Sequence, residues 1–195
     1  MRYQFGPAFR ITLFMTILTG LIYPGVVTGL CQLIFPHRAN GSMVEANGAV
    51  AGSALIGQNF SKPQYFHPRP SAAGNDGYDA SNSNASNYGP TNQKLIDRVK
   101  GDVAKFRQEN PGYQGPIPAD LLTTSASGLD PHISPASALA QAQRVADARG
   151  VTLDQVKQLI EAHTEDRQLG FLGEPRVNVL LLNLDLNQKF PVSKP

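Results

Sequence analysis

Ile11-Thr12-Leu13-Phe14-Met15-Thr16-Ile17-Leu18-Thr19-Gly20-Leu21-Ile22-Tyr23-Pro24-Gly25-Val26-Val27-Thr28-Gly29-Leu30-Cys31-Gln32-Leu33-Ile34-Phe35-Pro36 holds no Asp, Glu, Lys, Arg or His in 26 residues. As a helix rising about 1.5 Å per residue it reaches roughly 39 Å, against a hydrocarbon core of about 30 Å. Thirteen of its residues are Leu, Ile, Val or Phe, each contributing roughly −0.3 to −0.6 kcal/mol near the bilayer centre. Gln32, four Thr and Pro24 subtract from that sum without reversing it. Residues 11–36 therefore read as a transmembrane helix behind a tail of residues 1–10. The rival is a cleaved signal peptide, whose apolar core of about 7–15 residues ends in a small-x-small site. This run is longer, Leu30-Cys31-Gln32-Leu33 offers no such site, and Leu30 stands where a lipoprotein signal requires a small residue.

Arg2 and Arg10 precede the span, whereas Arg38 stands alone after it until Lys62. Positive residues stay on the cytoplasmic side, which predicts a cytoplasmic N-terminus and an outer domain of residues 37–195. Within the span, Gly25-Val26-Val27-Thr28-Gly29 is a GxxxG pattern. Two glycines one turn apart flatten a helix face so that another helix can approach. The alternative is that glycine is simply common in membrane helices. Pro24 beside the pattern predicts a kink.

Behind the span, 159 residues suffice for one domain with its own core. That portion carries 15 acidic and 15 basic residues, so nothing in its charge points to nucleic acid. The single cysteine lies in the span, so the outer domain has no disulfide.

Residues 37–50 read as a linker or weak strand, and Ser53 to Phe60 as a short strand. Residues 61–92 show almost no periodicity and are rich in Asn and Ser, which favour turns. Phe60, Tyr65, Phe66, Tyr78 and Tyr88 argue that this long loop is ordered. Thr91 is expected to cap a helix to about Glu109 with Leu95, Val99, Val103 and Phe106 on its apolar face. Ser134-Pro135 starts a helix ending near Arg149 with Gly150 as its cap. Thr152 and Gln155 form a capping box for the next helix, with Val151 stapled onto Val156. Val177 to Leu186 reads as the best strand, its apolar parity shifting near Leu180 as at a bulge or a doubly buried strand. The fold class is therefore α+β: one N-terminal transmembrane helix, then a small domain with a short sheet packed by about three helices and long ordered loops.

Motifs for chemistry are weak. Gly52-Ser53-Ala54-Leu55-Ile56-Gly57-Gln58-Asn59 has the glycine spacing of a phosphate loop but Gln58 and Asn59 where Lys and Ser/Thr belong. His37, His67, His132 and His163 are far apart, with no pair at metal-ligand spacing. Thr123 to His132 gathers hydroxyls, an acid and a histidine, but a triad needs geometry that sequence neighbours rarely supply, and no GxSxG is present. Asp130-Pro131-His132 reads as a turn capped by Asp130. No catalytic residue, metal ligand or cofactor of its own is assigned.

Several segments together are similar to one known family. They are Ile56-Gly57-Gln58, Tyr65-Phe66-His67-Pro68-Arg69-Pro70-Ser71-Ala72, Tyr78-Asp79-Ala80-Ser81 and Asn87-Tyr88-Gly89-Pro90-Thr91-Asn92. They continue with Ser127-Gly128-Leu129-Asp130-Pro131-His132-Ile133-Ser134-Pro135, His163-Thr164-Glu165 and Leu172-Gly173-Glu174-Pro175-Arg176-Val177-Asn178-Val179-Leu180. In this order they resemble the C-subunit family of the bacterial Kdp potassium-transporting P-type ATPase, over nearly the whole chain. Asn84-Ala85 and Asp166 depart from the family's usual glycines in loops.

The resemblance implies a bacterial inner-membrane complex. In it, a channel-like A subunit selects potassium, a B subunit hydrolyses ATP with magnesium, and a small F subunit stabilises the assembly. The C subunit is then a non-catalytic, single-pass subunit with its main domain in the periplasm, serving assembly, control of ATP affinity, or the potassium entrance. A neutral outer domain without a phosphate cradle favours the entrance over direct ATP binding. The expected partner contacts are Gly25 and Gly29 in the span, and Tyr65, Phe66, Arg69, Tyr88 and Asn92 in the loops. The competing classes are a membrane-anchored periplasmic hydrolase and a free-standing periplasmic binding module.

Overall fold

The computed structural model describes residues 2–192. The chain divides into two units, Met1–Ser53 and Ala54–Pro195.

In the first unit a short 3-10 turn, Arg2–Gln4, leads into α1 (Phe5–Ile17). A π-helical turn, Leu18–Ile22, carries α1 into α2 (Tyr23–Ile34). Together they make a helix of 30 residues, Phe5–Ile34, apolar and long enough to cross a membrane. It begins six residues ahead of the charge-free stretch. Pro24 has no N–H to offer the carbonyl four residues back, and its ring crowds that carbonyl. The wider π turn lies just there, so the helix absorbs the proline locally. Phe35 breaks the helix at φ −133°, and α3 (Pro36–Ala39) comes next.

Where residues 37–50 read as a linker or weak strand, a hairpin forms: β1 (Met43–Ala46) pairs antiparallel with β2 (Ala49–Ser53), with a bulge between Val44 and Glu45. Its turn is Asn47-Gly48, both with positive φ, at 53° and 77°. Asn-Gly is the residue pair that two-residue hairpins favour, because its twist matches that of the strands. The strand expected over Ser53 to Phe60 is absent. β2 ends at Ser53, and Ala54 onward is turn and extended chain.

The second unit is built on helices and a small antiparallel sheet. α4 (Gln93–Glu109) is capped by Asn92 rather than Thr91. Ser134 accepts from Ser137 N–H and starts α5 (Pro135–Arg149), with proline in the first turn. Gly150 ends it at φ 66°, donating back to the Ala146 carbonyl. The capping box of Thr152 and Gln155 starts α6 (Leu153–Ala162) at once. The sheet has the order β3 (His132–Ile133), β5 (Arg176–Asn178), β4 (Thr164–Glu165).

The long strand expected from Val177 to Leu186 is corrected: only Arg176–Asn178 is strand, and α7 (Val179–Lys189) takes over. Asn178 makes the switch, its side chain accepting from Leu181 N–H as an N-cap. The parity change near Leu180 is thus a change of period from two to 3.6. Val179, Leu180, Leu182, Asn183 and Leu186 form the buried helical face. After Val179 the apolar residues of α7 are all Leu, a strong helix former. The core joins α5, α6, α7 and the sheet through Val145, Val156, Ile160, Val177, Leu182 and Leu186, all essentially buried.

Asn183 is a polar residue inside this core. Its Oδ1 accepts from Phe66 N–H at 2.9 Å and its Nδ2 donates to the Phe66 carbonyl at 3.0 Å. Asn183→Ala should strand both groups and lower stability by about 3 kcal/mol, read from thermal or denaturant unfolding of the full chain in detergent. A loss below about 1 kcal/mol would mean that water takes the place of the amide.

Candidate functional site

The long loop from Ala54 to Asn92 reaches the helices as an ordered strap. Phe66 anchors it, fully buried in the core cluster. Asn183 holds the Phe66 backbone on both sides. Gln141 does the same for His67, its Oε1 accepting from His67 N–H at 2.8 Å and its Nε2 donating to the His67 carbonyl at 3.1 Å. Arg144 adds a third tether: its Nη1 donates to the Pro63 and Tyr65 carbonyls, at 2.5 and 2.9 Å, and its Nε donates to Asn110 Oδ1 at 3.0 Å. Burial pushes the Arg144 guanidinium down to about 10, still charged at neutral pH. Arg149 donates to the Gln64 and Phe190 carbonyls and lies 5.2 Å above the Tyr65 ring.

The second half of the strap is fixed to the segment before β3. Ser71 Oγ donates to the Gly128 carbonyl at 2.6 Å and accepts from Ala73 and Tyr78 N–H. Gly57 N–H donates to the Leu129 carbonyl at 2.8 Å. A Cβ on Gly57 would run into the Tyr78 ring and the Asp130 carbonyl, so this close crossing requires glycine. Arg69 pairs with Asp130 at 2.8 Å, and Tyr78 Oη donates to the Arg69 carbonyl at 2.7 Å. Burial, then the Asp130 charge, raises the Tyr78 hydroxyl well above its ordinary value, so it stays a donor. Burial pulls the Asp130 carboxyl up, but hydrogen bonds from His132 and the Arg69 charge outweigh it and hold the group below its ordinary 3.8. His67 lies beside Glu109, Nδ1 to Oε2 at 3.3 Å, and burial and then Arg144 lower its proton affinity.

A cleft of about 520 Å³ opens here, lined among others by Arg69, Thr123, Asp130, His132, Glu174 and Arg176. Its charged groups have partners: Arg69 with Asp130, Arg167 with Glu174 and Arg176 with Glu165. In the Thr123 to His132 stretch, side chains serve the local backbone, and Asp130 Oδ1 also lies 3.4 Å from His132 Nδ1. Ser125 Oγ accepts from Gly128 N–H, Ser127 Oγ accepts from Leu129 N–H, and Asp130 Oδ1 accepts from His132 N–H. Its hydroxyls and acid build turns.

The residues expected to meet partners fall in very different places. Gly25 and Gly29 lie on α2, where a Cβ on either would meet nothing within 4 Å. Phe66 is a core residue at 0% exposure, so its ring is not a surface contact. Tyr65 is half-buried against Phe60 and Arg149. Arg69 is in its ion pair, and Asn92 caps α4 through Lys94 N–H. Tyr88, 40% exposed, is the one of the five loop residues that faces solvent as a large side chain. The clamps Gln141, Arg144 and Asn183 were not expected. Their signal was a polar residue on an otherwise apolar helix face, as Gln141 stands between Ala138 and Ala142.

Comparison with known proteins matches residues 5–188 to the family model described as KdpC: K+-transporting ATPase, c chain. The chain is similar to the potassium-transporting ATPase KdpC subunit of Koribacter versatilis, 58% identical over 94% of either chain. The subunit of the same name from Rhodospirillum rubrum is 55% identical over 96% of either chain. That of Caulobacter vibrioides is 59% identical over 90% of this chain and 88% of the relative.

Because the folded Asp130 carboxyl lies below its ordinary value, the unfolded chain takes up the proton first as pH falls. The stabilisation is present above 3.8 and is lost as pH drops through the folded-state value. Asp130→Asn should therefore cost about 1.5–3 kcal/mol at neutral pH, with the gap to wild type closing below about pH 4 in a series of unfolding curves. A gap that persists at the acid end would show that the carboxylate charge is not what ties Arg69 down.

Proposed function

This chain belongs to the family of the K+-transporting ATPase c chain, KdpC, and from that premise we propose that it is a non-catalytic subunit needed for assembly of a potassium-uptake ATPase. The observation that carries the reading is that the match runs through both units, from residue 5 in the apolar helix to residue 188 in α7. The chain then crosses the bacterial inner membrane once. Arg2 and Arg10 keep its N-terminus cytoplasmic and leave the Ala54–Pro195 body in the periplasm. Its partners are the channel-like A subunit, the B subunit that hydrolyses ATP, and the small F subunit. Potassium, ATP and magnesium belong to the complex rather than to this chain.

The internal chemistry of the body supports an accessory role over a hydrolytic one. Its arginines and buried amides hold the strap, and the Ser/Asp/His stretch is used in turns. Modulation of the pump, at the potassium entrance, is the second part of the proposal. It is supported by a neutral body without a phosphate cradle and by a fold that anchors long surface loops rigidly.

In the helix, Gly25 and Gly29 provide an open, side-chain-free face for docking onto partner helices. Gly25→Leu combined with Gly29→Leu should reduce recovery of this chain with the other subunits in mild detergent by about tenfold or more, and lower potassium-stimulated ATP hydrolysis of the purified complex with it. Recovery and activity equal to wild type would remove the helix face from the assembly reading. Full activity of a complex prepared without this chain would overturn the reading itself.

A further inference from the structure

Between β4 and β5 the chain builds a small projecting tip. Gln168 N–H donates to the Leu172 carbonyl and Leu172 N–H to the Gln168 carbonyl, both at 2.9 Å, closing the three residues Leu169-Gly170-Phe171. Below them Arg167 Nη2 donates to Glu174 Oε2 at 2.6 Å and ties the two arms together. Leu169 has a φ of 54° and Gly170 one of 81°. The left-handed region is uncommon for leucine, and a residue stays there only where its surroundings hold it. What this backbone achieves is to turn apolar side chains outward. Leu169 is 82% and Phe171 69% exposed, the two most exposed large apolar residues described in the Ala54–Pro195 body, and Leu172 is exposed beside them. Single exposed apolar residues are ordinary, but three within four positions at a fixed tip are not.

The rim says what covers it. Glu165, Asp166 and Arg167 stand on one arm, Glu174 and Arg176 on the other, and Arg176 pairs with Glu165 at 2.8 Å. Three acids against two bases give a slightly acidic rim, which an anionic bilayer surface does not attract. An apolar centre inside a rim of mixed charge is instead how protein partners meet. We propose that the Leu169–Leu172 tip is a plug that seats in an apolar socket on another subunit of the same complex. This rests on the chain's being an accessory subunit, and adds the residues and the kind of surface through which its body engages.

The test uses the full chain within the purified complex, with a photoreactive benzophenone side chain at position 171. Illumination should give an adduct to another subunit. In the same chain, Leu169→Gly should cut the adduct yield by about tenfold. Glycine adopts the left-handed backbone freely, so the melting temperature of that variant should stay at or above wild type. An adduct found on lipid or on a second copy of this chain overturns the proposal, as does a yield that Leu169→Gly leaves unchanged. If the wild-type chain co-purifies with other subunits but position 171 gives no adduct, the plug alone fails. If it co-purifies with none, the accessory-subunit reading fails with it.

Discussion

The body depends on a strap of chain being buried without leaving its backbone groups unpaired. A loop as long as Ala54 to Asn92 has no strand or helix of its own to satisfy its N–H and C=O groups, and burying such groups bare is costly. The solution is to place side-chain amides on the helices where the loop must go inside. Asn183 and Gln141 each offer a donor and an acceptor to one residue's backbone, and so act as one rung of a sheet supplied by a side chain. Phe66 can then enter the core completely while its own peptide groups remain paired. Neither half works alone: the ring supplies the apolar burial, and the amides remove its polar cost.

The same logic governs the arginines. Arg144 and Arg149 each donate to more than one backbone carbonyl, Arg144 to Pro63 and Tyr65 and Arg149 to Gln64, Leu186 and Phe190. A guanidinium has five donors in a planar fork, so one side chain can satisfy several irregular carbonyls where a lysine would reach one. Asp120 shows the converse at the start of α5, accepting from Ser134 N–H, Ser134 Oγ and Ser137 Oγ. Much of the buried polar chemistry of the body is thereby spent on irregular backbone.

Local signals in the sequence were legible wherever one residue type has one mechanical use. Ser134-Pro135, Gly150 and the Thr152–Gln155 box act in the structure as helix boundaries because capping is decided within a turn. The apolar helix at the N-terminus was legible because length and absence of charge suffice. The run from Val177 to Leu186 misled because its apolar residues are nearly continuous, and a continuous run fits a buried strand and a buried helix face equally well. The deciding residue was Asn178, whose side chain reads as a cap only once Leu181 N–H has turned back towards it. Asn47-Gly48 carried a hairpin signal that the weak, small-residue flanks concealed. Of the expected contact residues, Phe66 was misplaced for a general reason. An aromatic in a loop can order that loop only by leaving the surface, so the feature that argued for order argued against exposure.

That trade constrains how the body can recognise anything. A polar group already paired inside a rigid frame can serve a partner only by giving up its present bond, and the exchange gains little. Arg69 and Asp130 are in that position. Apolar groups held outside the core are not, since covering them gains the full hydrophobic term at no cost to an existing contact. The first unit shows the same imbalance more strongly. Its helix exposes apolar side chains along 30 residues, and its hairpin has only two strands, too few for independent stability in water. Among the described residues, most buried polar side-chain atoms are paired, Arg98 Nε and Arg176 Nε excepted, whereas large apolar side chains stay exposed. The chain's surroundings therefore have to supply apolar cover more than charge.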